Sequence, residues 1–392
     1  MRIAILADRL VLGGLETHIV SCINEFLRRG HEIILCTEYC RPEIIQQINS
    51  RAGSFHHVYQ VERWQSFLLS RKPDIILAHP FQSIIRGYDL AKRLNRPFFI
   101  TIHGLYDTAL GSYRWGNDLV KKASAIIAVD ERVASYLKNT VSYLDQVVIN
   151  HNGLDLNTFY PFPVDRTKCL AYGLNPDWFT LVSISRLDED KIPPVFQLFR
   201  CVQDLAGQLG GINVVIAGDG NAYARLAYDI PALTGGRDNI MVHLTGYQTD
   251  IRPYLALSDL VLACDRAAME AMACQRPVLA ANQEGWAGLI TEDNFTDILW
   301  WRSSYQPLAD DRLIACLSAL AQNQPGLNQA AIQCTEIARR HFNIIDRVNE
   351  LEVLYLQART GNSVASPEVL PGGPRIRVQK KVVINLANRK PQ

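Results

Sequence analysis

The sequence predicts an α/β protein made of two domains, each built on a parallel β-sheet. Short apolar runs, such as residues 2–7 and 260–263, are followed by a turn and then by a segment with helical spacing of apolar residues. Strand, turn and helix in this order form the repeating unit of a parallel sheet. With 392 residues, the chain is also longer than one hydrophobic core usually supports.

The composition is that of an ordinary globular protein, with 48% hydrophobic and 20% charged residues. A net charge of +1 gives no indication of a nucleic-acid partner. The nine cysteines are scattered and odd in number, which favours reduced thiols over a disulfide framework. Cys36 and Cys40 are the closest pair, and no second pair follows, so we do not expect zinc.

The hydrophobic segments are all short. The first apolar run ends at Asp8, too soon for a signal peptide, and no stretch reaches the roughly 18 apolar residues of a membrane span. We therefore expect a cytoplasmic protein, or one held peripherally at the inner face of a membrane. Residues 360–392 are rich in Gly, Pro and Ser and mostly basic in charge, with a short strand conceivable at 382–384. We expect a disordered, solvated tail, with contact to anionic lipid or a partner as the alternative.

Residues 259–280 carry the strongest local pattern. A strand ends near Cys264, a helix is predicted over residues 267–273, and Pro277 separates it from the next strand. Unpaired N–H groups at residues 267–269 would form an anion site, with the Glu270 carboxylate in about the first turn of the helix. This arrangement suits a nucleotide, whose phosphate would bind the amides and whose ribose would bind the carboxylate. The alternative is that Glu270 only stabilises its own helix.

Residues 269–278, Met-Glu-Ala-Met-Ala-Cys-Gln-Arg-Pro-Val, resemble the LEAMA-x-G-x-PV segment of the group 1 glycosyltransferases, a retaining, nucleotide-sugar-dependent family. The resemblance implies the GT-B fold, in which two Rossmann-like domains face each other across a cleft. It also implies a hexosyltransferase-like enzyme that moves a sugar from a nucleotide-diphosphate donor to a hydroxyl acceptor. In this family the acceptor is often a cell-envelope glycan or glycolipid. The sugar nucleotide is the co-substrate, and neither metal nor another cofactor is expected.

The first domain opens with a glycine pair before a helix. Gly13 and Gly14 allow a close backbone approach to a ligand, although tight turning alone also explains them. They match the family's GG-x-E-x-H segment, whose glycine loop faces the donor phosphates and the acceptor. His18, one turn into the helix, is expected to pack on the helix face.

Two histidines follow predicted strands. His79 comes after residues 73–78 and His103 after residues 97–101, and parallel sheets bind ligands beyond these strand ends. The family carries a His-Gly pair whose histidine lines the active site, and His103 matches it, so His103 is the catalytic candidate and His79 the weaker one. Their spacing does not favour a metal. Asp107, close by, is expected at the surface.

The second domain supplies the predicted diphosphate contacts. On their own, Arg186 and Lys191 belong to a charged turn that local ion pairs would explain. They match the family's GRL-x-x-x-K segment, in which both cations hold the diphosphate and stabilise the leaving charge. The resemblance also implies diphosphate binding at Arg266, Ala267 and Ala268 and ribose binding at Glu270. Tyr247 follows the glycine near which relatives bind the base, and base stacking and interdomain packing both remain open for it.

The predicted boundaries follow from the same motifs. Residues 1–163 form an acceptor-side Rossmann-like domain, since residues 152–161 resemble the family's passage out of it. Residues 164–340 form the nucleotide-sugar-binding domain. The amphipathic helix at 344–358 is expected to pack back on the first domain.

The chain departs from the family in the loop before Glu270. Most members carry another glutamate where this chain has Leu262, inside the predicted strand, and the loop is shortened to residues 263–267. Asp265 and Gln275 stand where relatives have glycine, and Gln275 would hold a left-handed backbone only at a cost. Two alternatives therefore remain: a noncatalytic sugar-nucleotide binder or scaffold, and a sugar-nucleotide epimerase of the same fold. The donor base, the sugar and the acceptor are not determined.

Overall fold

The computed structural model describes residues 1–11, 13–50, 53–106, 114–141 and 147–361. Two sheets organise this part of the chain. The first has seven strands and the second has six. Residues 362–392 of the predicted tail, with the strand at 382–384, and Asp107 lie outside the described residues.

The first sheet is entirely parallel, with the order β3-β2-β1-β4-β5-β6-β7. Its strands are β1 (Arg2–Leu10), β2 (Glu32–Cys40), β3 (Phe55–Tyr59), β4 (Ile75–Ala78), β5 (Phe98–Ile102), β6 (Ala125–Ala128) and β7 (Val147–Ile149). The helices between them are α1 (Gly14–Arg28), α2 (Pro42–Ile45), α3 (Val61–Arg71), α4 (Gln82–Leu94), α5 (Arg114–Lys122) and α6 (Glu131–Thr140). The order changes direction between β1 and β4, where open sheets of this type bind ligands.

The second sheet has the order β10-β9-β8-β11-β12-β13, with only the edge pair β12–β13 antiparallel. Its strands are β8 (Phe179–Ile184), β9 (Ile212–Ala217), β10 (Ile240–Gly246), β11 (Leu260–Ala263), β12 (Val278–Asn282) and β13 (Gly285–Leu289). Its helices are α7 (Pro193–Leu209), α8 (Tyr223–Thr234), α9 (Arg252–Leu255), α10 (Asp265–Ala273), α11 (Asp310–Gln322) and α12 (Gln324–His341). Short helical turns lie at Arg166–Lys168, Leu170–Tyr172 and Thr296–Trp301.

Helices cover both faces of each sheet, which is why the strands are apolar without alternation. The last helix, α13 (Ile344–Arg359), packs on the first sheet's side of the molecule, where Val348 and Tyr355 join a core with Phe26 of α1. The backbone N–H of Ile344 donates to the carbonyl of Leu154 at 2.9 Å, so the last helix is attached where the chain leaves the first sheet. No helix in the described ranges is long and apolar enough to cross a membrane.

The strands predicted within the described residues are present. Asp130 follows β6 as the N-cap of α6, where its carboxylate accepts from the Val133 N–H at 2.7 Å. The helix predicted to begin at Ala267 begins at Asp265. One extended residue, Cys264, connects it to β11, so the loop is shorter than residue types alone indicate.

Candidate active site

A cleft of about 1430 Å³ lies between the two sheets. Its wall includes the glycine pair on one side and the ends of β8, β9 and β11 on the other. Of the predicted site residues, it brings together Gly13, Gly14, Arg186, Lys191, Tyr247, Arg266, Ala267 and Glu270. His103 and Ala268 are not on this wall.

The glycine pair leaves open space at the start of α1. Gly13 has φ +149°, and a Cβ there would lie 3.2 Å from the Glu16 carboxylate. That carboxylate accepts from the Val11 N–H at 3.0 Å and holds the turn. A Cβ on Gly14 would meet nothing within 4 Å, so the helix end faces the cleft unobstructed. A ligand can therefore approach the backbone closely at this helix end.

The two predicted diphosphate cations lie on the opposite wall. Arg186 pairs with Asp188 at 3.0 Å and Lys191 with Asp190 at 3.5 Å. The local ion pairs that would explain this charged turn without a ligand are therefore present. The Arg186 side chain is 55% exposed, and exposed pairs of this kind contribute little free energy. A doubly charged phosphate group could displace these carboxylates at small cost.

Two glycines pack directly against the backbone of this turn. A Cβ on Gly218, which has φ +159°, would lie only 1.9 Å from the carbonyl oxygen of Ser185. A Cβ on Gly220 would similarly lie 2.4 Å from the carbonyl carbon of Leu187. The loop after β9 thus supports the backbone that presents Arg186, a contact that requires glycine.

The start of α10 differs from the prediction. The Ala268 N–H already bonds to the Cys264 carbonyl at 3.2 Å, and Ala268 is completely buried. The open amides at this helix end are therefore those of Asp265, Arg266 and Ala267, two residues earlier than predicted. The Ala268 N–H is therefore used within the helix, the predicted diphosphate contact from Ala268 stays a prediction, and Asp265 is the first residue of the helix.

Glu270 consequently lies in the second turn of α10, beyond the strongest influence of the helix dipole. Its carboxylate accepts from Arg266 Nε at 2.8 Å, and only 13% of the side chain is exposed. Burial raises the pKa of Glu270, and the charge of Arg266 opposes that shift. Oε1 of Glu270 thus accepts from Arg266, while the residue remains on the cleft wall.

The Arg266 side chain points to protein groups instead of open space. Besides Glu270, it donates to the Gly153 carbonyl at 3.0 Å and to Ser21 Oγ at 3.0 Å. The predicted donor contact at Arg266 is therefore confined to its backbone N–H. Sequence reasoning missed Ser21, because nothing near Ser21 in the sequence indicates a partner on α10.

Tyr247 lies on the cleft wall with the Arg41 guanidinium 5.5 Å from its ring centre. Arg41 follows β2 of the first sheet, so this contact joins the two domains. Interdomain packing, one of the two alternatives for Tyr247, is therefore present, and base stacking stays a prediction. The ring remains accessible from the cleft.

The predicted catalytic histidine lies in a histidine cluster. His103 Nε2 is 2.8 Å from His79 Nδ1, and the His18 ring lies edge-on to His103 with 5.2 Å between centres. Burial lowers the pKa of His18 and of His79 to about 3, and that of the half-buried His103 well below its usual range. His18 packs inside, as predicted from its helix face. Within the described ranges no histidine lines the large cleft, so the place of His103 at a reacting centre stays a prediction.

The residue in place of the family glycine, Asp265, has φ +53°, a backbone conformation that favours glycine. Its carboxylate, 48% exposed, pairs with the mostly buried guanidinium of Arg302. Gln275 likewise has φ +59°, as predicted from its own glycine counterpart. The contact between Arg302 and Asp265 could not be predicted from the sequence, because Arg302 lies in a segment that carries no family motif.

Among the described residues, no group of three or more His, Cys, Asp and Glu side chains is placed to hold a metal ion. The predicted contacts in the cleft are cations, helix-end amides and the mostly buried Glu270 carboxylate. This set fits a phosphate-bearing ligand with hydroxyl groups nearby.

Two family models match the chain, one for each domain. Glycosyltransferase Family 4 matches residues 12–158, and Glycosyl transferases group 1 matches residues 179–311. Together they cover most of the sequence and include every residue predicted to bind the donor. Among curated protein sequences, none matches this chain significantly.

Solved structures with the same architecture are distant in sequence. A glycosyltransferase from Rickettsia africae has a TM-score of 0.73 at 16% identity, covering 92% of this chain and 99% of its own. HepE from Anabaena, in complex with UDP-glucose, has a TM-score of 0.66 at 17% identity, covering 90% and 98%. Sucrose-phosphate synthase from Thermosynechococcus elongatus has a TM-score of 0.68 at 16% identity, covering 92% and 100%.

These neighbours share two facing α/β domains with the present chain, and the family models match its sequence in both domains. The chain belongs to the group 1 glycosyltransferases and has their GT-B fold, two Rossmann-like domains facing each other across a cleft.

Proposed function

We propose that this glycosyltransferase moves a sugar from a nucleotide-diphosphate donor to a hydroxyl acceptor, with retention of configuration and without a metal. The observation that supports this most is the convergence of Arg186, Lys191 and the open amides of α10 on one wall of the cleft. Burial raises the pKa of the Cys264 thiol at the start of α10, but both cations act against that shift. Their charge therefore reaches the helix start.

The chemistry requires this positive charge. The bond between the anomeric carbon and the diphosphate oxygen breaks, and both its electrons leave with the nucleoside diphosphate. The acceptor oxygen forms the new bond to carbon and loses its proton. Arg186, Lys191 and the amides of Asp265–Ala267 would stabilise the departing diphosphate as its charge develops. Glu270 would hold ribose hydroxyls, and Gly13 and Gly14 would close over the phosphates.

We propose retention of the anomeric configuration from the family resemblance, and not from a nucleophile identified in the cleft. Asp265 is the carboxylate that comes nearest to replacing the missing family glutamate, since it lies on the cleft wall beside the helix start. We assign it contact with the transferred sugar, with Arg302 holding its orientation. His103, which lies beside His18 of α1, is the catalytic residue that we propose from the family.

HepE binds UDP-glucose, and this makes uridine diphosphate sugars the first donors to test. A cell-envelope glycan or glycolipid is the acceptor class that we propose from the family. With such an acceptor the protein would work at the inner face of a membrane, in peripheral contact with it.

One observation favours a second candidate function, a noncatalytic sugar-nucleotide binder. Leu262, at the position of the missing glutamate, is buried in β11 and 3% exposed, so it offers the sugar only apolar surface. Such a protein would bind the donor without turnover.

The test is to incubate the protein with UDP-, GDP- and ADP-sugars, with and without a mixture of glycoside and lipid-linked acceptors, and to follow the anomeric protons by NMR. Transfer with retained anomeric configuration is the expected result, and Glu270→Gln should abolish most of it. Glu62→Gln, a substitution at an exposed position of α3, serves as the matched control. Binding without turnover would favour the noncatalytic protein, and an epimerised sugar nucleotide formed without acceptor would reveal an epimerase.

A further inference from the structure

Arg266 is buried, 8% exposed, and its guanidinium donates to three separate acceptors. Nε donates to Glu270 Oε1 at 2.8 Å, Nη1 to the Gly153 carbonyl at 3.0 Å, and Nη2 to Ser21 Oγ at 3.0 Å. A planar guanidinium satisfied on every nitrogen has its orientation determined by its partners.

The three acceptors belong to different parts of the molecule. Glu270 is on the same helix, α10, four residues away. Ser21 is on α1 of the first domain, and its hydroxyl donates to the Thr17 carbonyl at 2.8 Å, which leaves its oxygen free to accept from Arg266. Both Ser21 and Thr17 lie on the cleft wall behind the glycine pair.

Gly153, the third acceptor, is fixed by packing. A Cβ there would lie 2.8 Å from Cα of Ile344 at the start of α13. The carbonyl that receives Nη1 therefore belongs to the rigid junction where the chain leaves the first domain and α13 returns to it. Arg266 thus connects the predicted ribose carboxylate with two fixed points of the opposite domain.

Burial without a counter-charge raises the pKa of a carboxylate. Such a carboxylate also has no fixed partner to determine its orientation. Arg266 supplies that counter-charge at a defined angle. The other groups that act on Glu270 electrostatically are Asp250, in the turn before α9, and Cys274, at the end of α10. Both are acidic, so Arg266 is the cation among the groups around this carboxylate.

We propose that Arg266 is a positioning residue that aims the Glu270 carboxylate at the donor's ribose, and that couples ribose binding to the contacts of α10 with the first domain. This inference rests on the proposed function, because it takes a nucleoside diphosphate as the ligand of the cleft. Coupling is reciprocal: a nucleotide held by Glu270 stabilises the contacts of Arg266 with Ser21 and Gly153, and those contacts strengthen nucleotide binding.

The experiment compares the Kd of UDP with that of 2′,3′-dideoxy-UDP, which lacks the ribose hydroxyls, by calorimetry at several pH values. Wild type should prefer UDP by roughly ten- to a hundred-fold, as expected for hydrogen bonds to an ionised carboxylate. Arg266→Met should reduce this preference to that of Glu270→Gln, and the double variant should lose no more. As the pH falls from 8 to 6, UDP binding by Arg266→Met should weaken at a higher pH than UDP binding by wild type, because the charge of Arg266 opposes the burial that raises the pKa of Glu270.

Arg186→Met is the discriminating control, because loss of a phosphate contact weakens both nucleotides equally and leaves their ratio unchanged. Arg266→Lys, which keeps a charge beside Glu270, should recover part of the ratio. Ser21→Ala removes one acceptor from a surface of α1 and tests the interdomain contact even if Arg266→Met fails to fold; it should weaken UDP binding several-fold.

The outcomes separate the two proposals. If wild type binds none of UDP, GDP and ADP, the proposed function is overturned and this inference falls with it. If wild type binds UDP and Arg266→Met or Arg266→Lys keeps the full ribose preference, only the inference is overturned. An Arg266→Met variant that loses thermal stability while keeping the ratio would show a purely structural residue.

Discussion

His79 Nδ1 lies 2.8 Å from His103 Nε2, and burial lowers the pKa of both rings. Burial is the main cause, and it lowers the pKa of His79 to about 3. In the unfolded chain the same ring binds a proton below about pH 6.5. The folded protein is therefore fully stabilised by this group above pH 6.5 and loses that stabilisation as the pH falls toward 3.

We predict that His79→Gln makes the protein less sensitive to acid. Between pH 6.5 and 5 the neutral histidine should cost wild type up to about 2 kcal/mol of unfolding free energy, and the glutamine variant should be spared that loss. Urea unfolding of both proteins at pH 8 and pH 5 measures the difference. Equal loss in the two proteins would contradict the assignment of a buried neutral histidine at position 79.

Gly218→Ala should destabilise the protein and impair donor binding together. The added Cβ would lie 1.9 Å from the Ser185 carbonyl, so the turn that carries Arg186 must shift. We expect a loss of about 2–4 kcal/mol in unfolding free energy and a UDP affinity at least ten-fold weaker.

Gly207→Ala is the control for that substitution. Gly207 is inside α7, exposed, and a Cβ there would meet nothing within 4 Å. Alanine should stabilise the helix by up to about 1 kcal/mol and leave UDP binding unchanged. If the two glycine variants behave alike in chemical denaturation, the supporting role of the loop after β9 is wrong.

Asp265→Asn should separate sugar contact from nucleotide binding. Asparagine tolerates the left-handed backbone that Asp265 adopts at φ +53°, but it removes the charge that pairs with Arg302. We expect turnover to fall at least ten-fold, while the Kd of UDP, which carries no sugar, changes less than about three-fold. The control is Asp89→Asn, whose exposed partner is Arg93 on α4. Unchanged kcat in the Asp265 variant would exclude the sugar contact.

Much of the architecture could be predicted from sequence because its signals are local. Apolar runs covered on both faces, such as β1 and β9, have no alternation, and a glycine or proline marks the end of most helices. The left-handed backbone at Gln275 was predictable because a glycine stands there in relatives. The motif residues of the second domain, Arg186 among them, reach one cleft because the ends of parallel strands share one edge of the sheet.

The parts that could not be predicted depend on distant contacts or on backbone angles. The Arg266–Ser21 contact joins residues 245 positions apart in sequence, and nothing near Ser21 in the sequence indicates a partner on α10. The start of α10 was placed two residues late because a helix beginning on Asp265 requires a positive φ that residue type does not indicate. His103 ends a strand as expected, but burial beside His79 removes it from the wall of the cleft.

The central claim is that the cleft holds a nucleoside diphosphate between Arg186 and Glu270. The most direct measurement is a thermal-shift panel of UDP, GDP and ADP and their sugar conjugates, with wild type, Glu270→Ala and Arg186→Ala side by side. A ligand that binds only the folded state at a hundred times its Kd adds about 2.7 kcal/mol of stability, enough to raise the unfolding midpoint by a few degrees. We predict that one diphosphate class stabilises wild type and neither variant. If no diphosphate stabilises wild type at millimolar concentration, or if both variants respond as wild type does, this donor site is contradicted.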